Sequence, residues 1–71
     1  MNYPAYYEIR VEGLLQSNWS EWFDGMSLCQ DASGETLIAG LLKDQAALHG
    51  VLMKIRDLGL VLVSVNRIAK E

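Results

Sequence analysis

Two stretches of this chain, 36–42 and 60–65, are apolar at odd and even positions alike. In the first, Leu37, Ala39 and Leu41 alternate with Thr36, Ile38, Gly40 and Leu42. In the second, Val61, Val63 and Val65 alternate with Leu60, Leu62 and Ser64. A strand that is apolar on both sides is a strand covered on both sides. A sheet with helices on only one face leaves the other face to water, so the second side of these strands requires cover of its own. A second copy of the chain is the simplest cover, and the sequence predicts a homo-oligomer, a dimer or larger. Docking of a different protein on the same face is the alternative, and the sequence alone does not separate the two.

The size of the chain strengthens this expectation. Its 71 residues make one domain, 1–71. Ordering costs about 1.5 kcal/mol per residue, close to what apolar burial returns at this length. Small domains therefore lean on a disulfide, a metal or a partner surface. Cys29 is the one cysteine, so a single chain forms no internal disulfide, no cysteine-based zinc site and no iron–sulfur cluster. No cofactor or metal is expected. A hydrophobic share of 51% against 21% charged residues belongs to a folded chain and not a disordered one. The net charge of −3 runs against nucleic-acid binding, which needs a basic surface. The longest apolar stretch, Leu58 to Val63, is far short of the roughly 20 residues that span a bilayer, and no leader with a basic region and an apolar run opens the chain. The expectation is a cytoplasmic protein with neither a nucleic-acid nor a membrane partner.

The periodicity sets out the elements. Pro4 suits an extended lead-in. From Tyr6 to Gly13 the chain alternates, with Tyr7, Ile9 and Val11 on one side and Glu8, Arg10 and Glu12 on the other, which is the pattern of a half-buried strand. Asn18 and Glu21 resemble a capping pair. Trp19, Trp22, Phe23 and Met26 follow at three- and four-residue spacing, the pattern of one buried helix face that Gly25 ends. Met26 to Gln30 reads as a strand, 31–34 as a turn and Thr36 to Leu42 as the returning strand of a hairpin. Asp44 caps a helix over about Gln45 to Leu58, whose stripe is Leu48, Val51, Leu52, Ile55 and Leu58, with Gly59 as its stop. Leu60 to Ile68 is the last strand. The order β-α-β-β-α-β predicts an α+β, ferredoxin-like sandwich: a four-stranded antiparallel sheet with two helices on one face. The alternative treats the aromatic segment as an irregular loop, giving β-β-β-α-β.

No catalytic motif names a reaction, and whether the chain is an enzyme stays open. The most suggestive polar group is Gln45, His49 and Arg56, which share one shoulder of the long helix at spacings of four and seven. An Arg beside His49 disfavours the protonated imidazole, which suits a neutral base or an anion-binding pair; the plainer reading is a solvated helix flank at a dimer rim. Trp22 is the candidate wall of a ligand cleft, although Trp19, Trp22 and Phe23 read first as core. Cys29 lies on the opposite side of its strand from Met26 and Leu28 and reads as structural, since a nucleophilic thiol needs an activating neighbour. Glu8, Arg10 and Glu12 form an outward charge ladder. The leading functional expectation is a non-enzymatic, self-associating module that binds a protein or small ligand. The alternative is a small oligomeric enzyme or ligand sensor with a helix–sheet cleft near His49 and Arg56.

Known users of this topology are checked by their own signatures. The aromatic strand motif of RNA-recognition domains, the paired cysteines of copper chaperones and the anion-loop Arg of acylphosphatases are all missing from the corresponding stretches. The runs Trp19-Ser20-Glu21-Trp22-Phe23-Asp24-Gly25, Gly34-Glu35-Thr36-Leu37-Ile38-Ala39-Gly40, Asp44-Gln45-Ala46-Ala47-Leu48-His49-Gly50 and Ile55-Arg56-Asp57-Leu58-Gly59-Leu60 together resemble a group of short bacterial proteins labelled hypothetical. That resemblance covers most of the chain. It implies a small bacterial stand-alone module, with no activity, substrate or cofactor to carry over.

Overall fold

A computed structural model of the chain describes residues 4–13, 15, 17–23 and 25–68; of Ser17 and Asn18 it describes the backbone only. The elements are β1 (Ala5–Glu12), a 3-10 helix (Ser17–Phe23), β2 (Ser27–Gln30), β3 (Glu35–Leu42), α1 (Gln45–Asp57) and β4 (Leu62–Ile68). The four strands form one antiparallel sheet in the order β2-β3-β1-β4. The chain is thus α+β, with one α-helix plus a 3-10 segment where the sequence predicts two α-helices.

Each element follows from its sequence. In β1, Tyr7, Ile9 and Val11 are buried, while Glu8 and Arg10 are half-buried and Glu12 is exposed. Alternate residues of a strand point to opposite faces, so β1 has one core face and one polar face as the sequence predicts. The β2–β3 hairpin is closed by Asp31, whose carboxylate accepts hydrogen bonds from the Ser33 N–H at 2.9 Å and the Ser33 hydroxyl at 2.6 Å. Gly34 completes that turn at φ 90°, a conformation that costs a residue with a Cβ. Helix α1 starts at Asp44, which accepts a hydrogen bond from the Ala47 N–H at 2.8 Å. It ends in a Schellman motif: Gly59 N–H donates to the Arg56 carbonyl at 2.9 Å, and Leu60 N–H to that of Ile55 at 3.2 Å.

The core is one cluster. Leu48, Val51 and Ile55 of α1 meet Tyr7, Ile9 and Val11 of β1, Ile38 and Leu42 of β3, and Phe23 and Met26 from the segment between. Leu52 and Leu58, predicted in the same helix stripe, pack against it partly buried. The helix lies nearest β3, and burial thins toward β4. Ile9 is fully buried, but Val65, directly opposite it on β4, keeps 37% of its surface exposed.

Two expectations need correction. Trp19, Trp22, Phe23 and Met26 do not share a buried face: Phe23 and Met26 are in the core, whereas Trp19 and Trp22 are 37% and 46% exposed. The cause is the helix type. With 3.0 residues per turn, positions three apart eclipse, so Trp19 and Trp22 stack on one outer ridge and Phe23 turns inward alone. The last strand begins at Leu62 instead of Leu60, and its register against β1 shifts between Arg10 and Val11, where Val63 is the extra residue. The capping role expected of the Asn18 side chain lies outside the described residues.

Candidate functional site

The residues of the predicted helix shoulder each find a near partner. Gln45 reaches inward, and its Nε2 donates to the Tyr7 hydroxyl at 2.7 Å. This satisfies the one polar atom of a buried ring and ties the start of α1 to β1. The Nδ1 of His49 lies 2.9 Å from the Gln45 carbonyl, one helical turn back. Arg56 donates from Nε and Nη2 to Oδ1 of its neighbour Asp57, both at 3.2 Å. His49 and Arg56 are both exposed. Gln45 and His49 are therefore joined, while the Arg56 guanidinium is held by a carboxylate.

Trp22 sits across from this helix. Lys54 Nζ donates to the Trp22 carbonyl at 2.8 Å and stands 5.6 Å from the centre of its ring, within cation–π range. The Trp19 ring meets that of Trp22 edge-on, with centroids 6.4 Å apart. The two indoles and Lys54 form an exposed aromatic and cationic ridge joining the 3-10 segment to α1. The sequence reading of Trp22 as a wall missed its Lys54 partner, because the two are 32 residues apart and no periodicity links them.

On the face away from α1, Arg10 holds two carboxylates: Nη1 is 3.1 Å from Asp31 Oδ2 and 3.6 Å from Glu35 Oε1. The Ser33 hydroxyl, the Glu35 N–H and the Arg10 charge hold the Asp31 carboxyl below the ordinary aspartate pKa. The predicted charge ladder thus includes the hairpin turn. Cys29 pairs with Leu37 on this same face and is an exposed free thiol. Among the described residues no group of three or more His, Cys, Asp or Glu side chains stands together in a way that could hold a metal ion.

The apolar surface that the sequence places on both sides of two strands is concentrated on one of them. Along β3 the outward Leu37 is half-buried and Ala39 buried, leaving Leu41 exposed. Along β4, Leu62, Val63, Val65 and Ile68 are all exposed, as is Val61 just before it. Leu41, Tyr6 and Ile68, exposed and adjacent across β3, β1 and β4, continue this apolar surface over one end of the outer face. The sequence did carry a signal for the strand, in its two-sided pattern, but not for its position at the edge of the sheet.

No helix among the described residues is long and apolar enough to cross a membrane. No curated protein and no solved structure matches the chain. A family model does match, over residues 6–66, which contains the helix and reaches into every strand: the chain belongs to the family described as Domain of unknown function (DUF8691).

Proposed function

We propose that this chain is a small, self-associating binding module of the bacterial cytoplasm and not a catalyst. Its architecture is a ferredoxin-like sandwich in which the first helix is reduced to the 3-10 segment, and the strand order β2-β3-β1-β4 supports that reading. One observation carries the proposal: β4 exposes Leu62, Val63, Val65 and Ile68 on a strand only seven residues long. A run of apolar residues left open on a sheet is the mark of an interaction surface. In a domain this small, covering that surface also supplies burial that the single-chain core lacks.

The helix shoulder of Gln45, His49 and Arg56 and the Trp22 ridge beside Lys54, which lies about half a turn around α1 from that shoulder, are two proposed contact surfaces for a protein or small ligand. Their support is the exposed indole and the exposed guanidinium; Trp and Arg are the side chains that most often anchor interfaces. The solution mass of the purified chain, followed by size exclusion with light scattering over a range of concentrations, tests self-association. A dimer or larger species is expected. A single-chain mass that persists at high concentration contradicts the proposal.

A further inference from the structure

We propose that β4 is the subunit boundary: two copies pair their β4 strands antiparallel about a two-fold axis at Val65, making one continuous eight-stranded sheet. This inference rests on the self-association reading and names the surface that serves it.

The first reason is the backbone. In the order β2-β3-β1-β4, β4 has a ladder partner on one side only among the described residues, so its other side presents a row of N–H and C=O groups. Such an edge accepts another extended strand. Protein edges are normally guarded by being short or by carrying Lys, Pro or inward-pointing charge. The opposite edge, β2, is four residues long and runs into the Asp31 turn. β4 is seven residues long and has no Pro, and its only guards are one inward charge, Arg67, and one bulge. Its bulge lies at Val63, near the start of the strand, and leaves Ser64 to Ile68 in regular register with β1.

The second reason is that the strand complements itself. Val65 and Arg67 lie opposite Ile9 and Tyr7, on the helix side of the sheet; Ser64, Asn66 and Ile68 lie opposite Arg10, Glu8 and Tyr6, on the other side. An antiparallel partner centred on Val65 sets Val65 against its own copy and Ser64 against Asn66. Apolar then meets apolar at the axis and polar meets polar beside it, while each Arg67 falls level with Val63 of the other copy, at the bulge. Directly opposed side chains are the unit of sheet stabilisation.

The third reason is charge. Each chain carries a net −3, yet the boundary holds none of that acid. The two Arg67 residues are offset by four positions, about 13 Å at 3.3 Å per residue, which is beyond the screening length of about 8 Å at physiological salt. Glu8 sits one strand inward, so the two copies of it are separated by three strand spacings, about 14 Å.

The test joins a crosslink to a mass measurement. In a Cys29→Ser background, Val65→Cys is oxidised mildly, with Ser27→Cys on the opposite edge as control. The Val65→Cys chain is expected to run as a covalent dimer and the Ser27→Cys chain as a monomer. Val65→Lys, and separately Val63→Lys in case the first variant does not fold, are expected to reduce the solution mass to that of one 7.9 kDa chain while the far-ultraviolet dichroism stays that of the parent. A folded lysine variant that keeps the parent's dimer mass, with no crosslink at Val65→Cys, overturns the β4 boundary and leaves self-association standing through another surface. A parent that is monomeric throughout overturns both, and makes the open edge a site for a strand of a different protein.

Discussion

At the scale of single residues, two polar side chains do more than their exposure suggests. Thr36 is fully buried in β3. Its hydroxyl donates to the Gly13 carbonyl at 2.7 Å and accepts from the Leu15 N–H at 3.0 Å. One side chain thereby anchors the loop that leaves β1. Thr36→Val removes the hydroxyl without changing the shape of the site and leaves the Gly13 carbonyl and the Leu15 N–H without it, and a buried group left unsatisfied costs about 1–3 kcal/mol. Thermal melting should show the loss, and Thr36→Ser, which keeps the hydroxyl, should recover most of it. Asp31 acts through pH. Its carboxyl is more acidic in the folded chain because Ser33, the Glu35 N–H and Arg10 favour the charged form. That contribution is complete above the ordinary aspartate pKa and is lost as pH falls through the lowered folded value. The difference in melting temperature between the parent and Asp31→Asn should therefore be largest near neutrality and shrink as pH falls through the lowered folded value.

At the scale of elements, the 3-10 segment hangs on Phe23. Truncating a fully buried Phe costs about 3–5 kcal/mol, a large part of the roughly 4–10 kcal/mol expected of a domain this size. Phe23→Ala should leave the chain largely unfolded in mild urea, whereas Trp19→Ala, at an exposed position, should cost less than about 1 kcal/mol. This contrast marks where the sequence was legible. Strand β1 and helix α1 were readable because period two and the 3.6-residue stripe each admit one assignment, and the Asp44 cap and the Gly59 stop are local chemistry. The aromatic segment was not, because the spacing of 19, 22, 23 and 26 is that of an α-helical face, whereas the segment is a 3-10 helix in which Trp19 and Trp22 share one side and Phe23 another; tertiary packing, not spacing, chose the helix type. The start of β4 was blurred for a related reason: where both faces are apolar, alternation cannot show a bulge. The candidate shoulder was legible as a spacing on a helix. The partners of its side chains, Tyr7 and Asp57, depend on tertiary placement and rotamer, which spacing does not encode.

At the scale of the whole molecule, the sheet ends in a long, largely apolar strand with few guards on one side and a short, turn-closed strand on the other. If burial at β4 supplies stability that the single-chain core lacks, then unfolding is linked to association. Anything that binds only the folded chain raises its apparent stability by mass action. The urea midpoint of the parent should rise with protein concentration, and that of Val65→Lys should not. The most direct measurement is amide hydrogen exchange compared at low and high protein concentration. A β4 boundary predicts that the β4 amides not bonded to β1 slow markedly as concentration rises, while those of β2 are unchanged. Fast exchange of the outer β4 amides at every concentration would contradict it.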